Sequence, residues 1–145
     1  AFRIAGGQLA IDVIVGFPTE TEDKFINTYN LLKEIDFTYL HVFSYSLRPG
    51  TKAAKMKMLP KHSEIENRSK KLRELSIRKK TSFLISQLGK SYDVLFESEI
   101  KNEKIFGFTG NYIRVGIKAN NELINKIVNV RLEKIVNGYC ESSLI

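Results

Sequence analysis

Apolar positions change spacing twice along this chain, and each change marks a different kind of element. From Ile11 to Phe17 the run Ile-Asp-Val-Ile-Val-Gly-Phe is rich in β-branched residues and almost continuously apolar. That pattern predicts a strand buried on both faces of a parallel sheet. Pro18 ends it, because proline has no N–H to give a sheet ladder. Thr19-Glu20-Thr21-Glu22 then offers a capping box, with acids where a helix dipole favours them. Phe25, Ile26, Tyr29, Leu32 and Ile35 recur at spacings of three and four, which is one face of a helix. A second buried-strand run covers Tyr39 to Tyr45. Strand, helix and strand within about 35 residues make a βαβ unit with a right-handed crossover. Both faces of such strands need covering, so the pattern implies a piece of a larger α/β sheet.

Arg48-Pro49-Gly50-Thr51 closes this unit with turn chemistry, and Lys52 to Leu59 is a short basic connection. A long helix is expected from Pro60 to about Leu88, with a second capping box at Ser63-Glu64-Ile65-Glu66 and Gly89 as its stop. Ile65, Leu72, Leu75, Phe83, Leu84 and Leu88 form its apolar side, and Arg68, Lys70, Lys71, Arg73, Arg78, Lys79 and Lys80 populate the rest. The period then shortens to two. Tyr92, Val94 and Phe96 alternate with Asp93, Leu95 and Glu97; Ile105–Phe108, Ile113-Val115-Ile117 and Val128-Val130-Leu132 follow. Gly110-Asn111, Ala119-Asn120-Asn121 and Asn137-Gly138 punctuate them. Four or five short strands over about 55 residues predict a small antiparallel barrel of the OB-like kind.

Charge sharpens this division. The net +7 is concentrated: residues 1–60 hold 7 Lys/Arg against 6 Asp/Glu, residues 61–90 hold 9 against 3, and residues 91–145 hold 7 against 7. The basic middle helix is either a solvated face or a polyanion contact. A hydrophobic content of 43% supports a buried core. No apolar run approaches the roughly 20 residues that span a bilayer, and Ala1 to Ala10 lacks the layout of a secretion signal. The single cysteine, Cys140, excludes an internal disulfide and a four-cysteine zinc site. A cytoplasmic protein without a membrane partner is the expectation; oligomeric state is not legible.

Two long motifs then carry a resemblance. Asp12-Val13-Ile14-Val15-Gly16-Phe17-Pro18-Thr19-Glu20-Thr21-Glu22, with Asp23 and Phe25, and Tyr45-Ser46-Leu47-Arg48-Pro49-Gly50-Thr51, with Ala53-Ala54, resemble the end of a radical-SAM domain from the methylthiotransferase family. Gly107-Phe108-Thr109-Gly110-Asn111-Tyr112-Ile113-Arg114-Val115 is similar to the stretch G-x-T-x-N-Y-[VI]-R-V of the TRAM domain, the RNA-binding barrel that closes these enzymes. The sequence departs from the pattern at Leu47, where proline is usual, and at Asn125, where glycine is common. Leu40-His41-Val42-Phe43-Ser44-Tyr45-Ser46 looks closest to the branch acting on threonylcarbamoyladenosine next to the tRNA anticodon. The resemblance thus implies residues 1–60 as the end of a radical-SAM partial barrel, 61–89 as a connecting basic helix and 90–145 as a TRAM barrel.

The same resemblance implies S-adenosylmethionine and 4Fe–4S clusters as cofactors of a full-length enzyme, and a tRNA anticodon stem-loop as partner. A radical-SAM cluster needs three cysteines in C-x-x-x-C-x-x-C, and none of them is present. This chain alone is therefore expected to bind no cofactor, to hold no metal and to carry no catalytic residue. Cys140 reads as a small, semi-buried apolar residue. Ligands of parallel sheets gather beyond the C-terminal strand ends, where Val15, Gly16, Phe17 and Pro18 resemble the family's cofactor-contacting motif. Gly16 and Pro18 suit a tight strand-to-helix turn equally well. Glu20 reads as a helix-start acid and His41 as a core histidine. Tyr45 and Arg48 are the candidates for touching substrate. For RNA the candidates are Asn111, Tyr112, Arg114 and Lys118, with Lys79 and Lys80 from the basic helix close to the barrel. Tyr112, Arg114 and Lys118 are expected on one strand face, an aromatic beside cations. Two other readings stay open: a free-standing RNA-binding module, and the family branch that modifies a ribosomal protein.

Overall fold

A computed structural model describes residues 7–57 and 59–145. Residues 1–6, most of the stretch read as lacking a secretion signal, and Met58 in the basic connection lie outside the described residues. The chain divides into two compact units, one ending at Lys80 and one running from Thr81 to Ile145.

In the first unit β1 (Ala10–Val15) and β2 (Tyr39–Ser44) pair in parallel, from Ala10 opposite Tyr39 to Val15 opposite Ser44. They are joined by α1 (Glu22–Glu34). Val15, Leu40, Phe25, Leu32 and Phe37 are buried together with Leu72 and Leu75 of α2 (His62–Gln87). One face of the strand pair is covered in this way. The opposite face is open: Ile14 and Phe43 are 56% and 52% exposed, and Asp12 and His41 stand exposed opposite each other. The expectation of strands buried on both faces is thus corrected, because both helices pack on the same side. His41, read as a core residue, belongs to the open face.

Capping is simpler than the sequence suggests. Thr21 alone caps α1, its hydroxyl accepting from the Lys24 amide at 3.4 Å, while Glu22 and Asp23 occupy the first turn. Glu20 lies outside the helix and bonds elsewhere. At the start of α2 the Glu64 carboxylate accepts from the Lys61 amide at 2.9 Å, the side-chain-to-backbone half of a capping box.

Polar side chains, as well as leucines, secure α2 to the strands. The Leu40 amide donates to the Ser76 hydroxyl at 2.9 Å, and the Ser44 and Ser69 hydroxyls lie 3.3 Å apart. Ser69 and Ser76 are buried, and so is Arg68 at 3% exposure. Arg68 therefore does not belong to the solvated side of the helix, where periodicity places it.

The second unit is a closed barrel of β3 (Ser91–Lys101), β4 (Lys104–Thr109), β5 (Arg114–Lys118), β6 (Ile127–Val136) and β7 (Tyr139–Leu144), in the order β3-β4-β5-β7-β6 with β3 returning to β6. Val94, Phe96, Ile105, Val115, Val130, Leu132 and Cys140 point inward, joined by Ile113, by Leu123 and by Leu84 from the last turns of α2. The barrel is not wholly antiparallel, since β5 and β7 pair in parallel. Two-residue hairpins at Asn102-Glu103 and Asn137-Gly138 have both central residues at positive φ, the geometry that matches strand twist. Asn125 takes φ +56°, a left-handed position asparagine tolerates, so it can serve where glycine is common. Among the described residues no helix is long and apolar enough to cross a membrane.

Candidate functional site

The loop after β1 is built from the inside. Gly16 has φ +78°, and a Cβ placed on it would lie 2.6 Å from Ile65 of α2. Glycine is required here by backbone conformation and by the packed helix together. Its amide donates to a Glu20 carboxylate oxygen at 2.7 Å, and the same oxygen accepts from Arg68 at 2.9 Å. Arg68 also reaches the Glu20 carbonyl at 3.1 Å and Glu22 at 3.2 Å, and its guanidinium lies 5.5 Å from the centre of the Phe25 ring. Glu20 is thus a latch acid, held between a loop amide and a buried arginine. Of the four residues read as cofactor contacts, Val15, Gly16 and Pro18 are buried, and Phe17 is 42% exposed with its ring edge-on to Tyr45 at 5.4 Å.

Beyond the C-terminal ends of the two strands lies a cleft of about 400 Å³, lined by Ile14, Phe43, Ser44, Tyr45, Ser46 and Arg48, with Thr51 and Ala53. The predicted pair Tyr45 and Arg48 therefore shares one cavity. The Tyr45 hydroxyl is shielded from solvent and has no hydrogen-bond partner among the described residues, so it is a polar group a bound molecule can satisfy. Among the described residues no cluster of three or more His, Cys, Asp or Glu is placed to hold a metal ion. Cys140 is sealed in the barrel core, and burial pushes its thiol pKa up. The residues present do not fit an iron–sulfur cluster.

On the barrel, the candidates separate. Tyr112 is not in a strand: it precedes β5, at φ +62° and 78% exposed. A bulky residue in that region is strained. It is held there by its turn, where Thr109 donates to Asn111 at 2.5 Å and accepts from the Ile113 amide at 2.9 Å. Arg114 and Lys118 do share the outer face of β5, with Ile113 and Val115 directed inward. Lys79 is engaged within the first unit, donating to the Lys33 and Ile35 carbonyls at the end of α1 at 2.9 and 2.8 Å and lying 5.3 Å from the Phe37 ring centre. Those carbonyls are where a helix dipole is negative, which accounts for Lys79 being held at the end of α1. Lys80 is exposed.

Periodicity alone missed the most organised part of this wall. The Arg114 guanidinium lies over Phe106, 4.8 Å from the ring centre, and Phe106 meets Tyr139 edge-on at 5.1 Å and 85°. Gly116, across from Phe106, leaves the space both rings occupy: an added Cβ would lie 2.8 Å from Tyr139 and 2.9 Å from Phe106. Lys104 donates to the Tyr139 hydroxyl at 2.9 Å and to Glu141, which Lys134 pairs at 2.8 Å from the other side. Lys104 and then Lys134 hold the Glu141 carboxyl down to about 2, while Glu141 and Tyr139 raise Lys104. The one sequence signal for this cluster was a glycine inside a strand, which marks close approach.

No protein-family model matches the chain. It is 36% identical, over 98% of its length, to the threonylcarbamoyladenosine tRNA methylthiotransferase MtaB of Bacillus subtilis, covering 32% of that protein. It is also 33% and 37% identical, over 95% and 94% of its length, to tRNA-2-methylthio-N(6)-dimethylallyladenosine synthases of Aliarcobacter butzleri and Acetivibrio thermocellus, covering 32% and 29% of them. The chain spans about a third of the length of the curated relatives it matches.

Proposed function

The chain belongs to the radical-SAM methylthiotransferase family, and from that premise we propose that it is the RNA-engaging portion of a tRNA methylthiotransferase. Such an enzyme adds a methylthio group to a modified adenosine beside the anticodon, in the cytoplasm. In this reading β1, α1 and β2 are the end of the radical-SAM domain. The barrel, whose strand order we read as OB-like, is the TRAM domain. The strand from Leu40 to Ser46 favours the threonylcarbamoyladenosine branch.

S-adenosylmethionine and the 4Fe–4S clusters would supply the radical and the sulfur chemistry in the full-length enzyme. This chain has no cluster ligand set, so no chemical step is assigned to its residues. Its share on the cofactor side is packing: the Gly16–Glu20 loop is latched by Arg68, leaving Phe17, Tyr45 and Arg48 facing the open end of the sheet.

One observation supports RNA binding above the rest. Arg114, Phe106 and Lys104 of the β4–β5 wall stand together with Tyr139 of the adjoining β7, between the β3–β4 and β6–β7 hairpins. In OB-like barrels this is the wall and these are the loops that contact oligonucleotides. Aromatic rings beside cations suit unpaired RNA. The test is titration of the chain with an anticodon stem-loop RNA at several salt concentrations, beside an Arg114→Ala/Lys118→Ala double variant. Binding that weakens with salt, and again in the variant, is expected. Absence of binding at low salt, or a variant indistinguishable from the parent, would overturn the assignment.

A further inference from the structure

The side chains around Gly116 run as a connected row across four strands. Phe106 neighbours Gly116 across β4 and β5, Gly116 neighbours Glu141 across β5 and β7, and Glu141 neighbours Lys134 across β7 and β6. The cations of this row are already committed. The Arg114 guanidinium carbon lies over Phe106, 4.8 Å from the ring centre, while Lys104 and Lys134 both converge on the single carboxylate of Glu141. An RNA phosphate reaching either lysine must share it with the Glu141 carboxylate, whereas the outward face of the exposed Arg114 guanidinium involves no such sharing. A guanidinium plane backed by an aromatic ring is a stacking platform for a base.

We infer that this wall reads an unpaired RNA base by stacking on the Arg114–Phe106 pair, and that Glu141 is a specificity residue that keeps Lys104 and Lys134 from gripping duplex phosphates. The inference deepens the RNA-binding reading and rests on it. A wall built this way binds weakly in electrostatic terms and selectively for RNA that can offer a splayed base. A base in a duplex is stacked on its neighbours, so only its backbone is presented, and the two lysines that would hold that backbone share the counter-charge of Glu141.

The test compares a hairpin RNA bearing an unpaired loop with a fully paired duplex of equal phosphate number, each titrated with the whole chain between roughly 50 and 200 mM salt. The hairpin is expected to bind more tightly than the duplex, with a log–log salt slope of about −1 to −2, equivalent to one or two phosphates. Arg114→Lys keeps the charge and loses the plane, so hairpin affinity should fall roughly tenfold or more with the slope unchanged. Glu141→Gln frees two lysines. It should steepen the slope by about 1.5 to 2 and raise duplex affinity, eroding the preference. Equal, steeply salt-dependent binding of hairpin and duplex would overturn this inference and leave RNA binding standing. An Arg114→Lys chain as strong as the parent would do the same. No binding of either RNA would overturn both readings. Were Glu141→Gln to misfold, the hairpin-to-duplex ratio and Arg114→Lys would still decide the matter.

Discussion

Replacing Arg68 with methionine keeps much of the side chain's volume and removes its charge. In the native loop the Arg68 side chain is 4% exposed and that of its Glu20 partner 13%, while the Glu22 side chain is 54% exposed. Removing one member of a buried pair costs about 3–5 kcal/mol, because the other charge is left without its counter-ion. The half-exposed Glu22 contact adds at most about 1 kcal/mol. The Gly16 amide still satisfies one Glu20 oxygen, so the lower end of that range, about 3 kcal/mol, is expected. For a unit of this size that corresponds to a fall in midpoint of roughly 12–24 °C. Urea unfolding followed by amide resonances of Gly16 and Leu40 reads the first unit, with Val94 as an internal reference for the barrel. Adding Glu20→Gln to Arg68→Met should recover part of the loss, giving a coupling of at least about 1.5 kcal/mol in a double-mutant cycle. An Arg68→Met chain within about 0.5 kcal/mol of the parent would refute the latch, since that is the range of an ordinary surface change.

Other expectations follow from single contacts. Ser76→Ala strips the Leu40 amide of its acceptor and should cost about 1–3 kcal/mol, seen as faster hydrogen exchange at Leu40. Glu141 has its carboxyl lowered from 4.5 to about 2 in the folded barrel. Its contribution to stability is therefore present above about pH 4.5 and lost as pH falls towards 2; acid unfolding of Glu141→Gln should lack that component. Cys140 is fully buried with a raised thiol pKa, so a thiol reagent should label it only in denaturant; rapid native labelling would contradict the closed core.

Much of this architecture could be read from spacing, because spacing reports which face is buried. The period-two run from Tyr92, the Asn137-Gly138 turn and the stop at Gly89 each correspond to an element of the barrel or its helix. The failures have physical causes. Arg68, Ser69 and Ser76 look solvated by composition, yet each is buried because a partner elsewhere in the fold satisfies it. Asp12 and His41 alternate correctly, but periodicity cannot say that two helices will choose the same side of a strand pair. Tyr112 reads as a strand residue in a run of alternating types, whereas the Thr109–Ile113 hydrogen bonds bend the chain there into a left-handed turn. The Phe106–Tyr139–Lys104–Glu141 cluster joins residues up to 37 positions apart, a proximity set by the β5–β7 parallel pairing that no local pattern announces.

Mapping the RNA footprint by amide chemical shifts would test the central claim most directly. With a stem-loop RNA added at low salt, shifts should concentrate at Phe106, Tyr112, Arg114, Gly116 and Tyr139. The β3–β6 side of the barrel, at Asp93 and Asn129, should stay unmoved. A footprint centred on Asp93 and Asn129, or one confined to the first unit, would contradict the assignment of the β4–β5 wall as the RNA-binding surface.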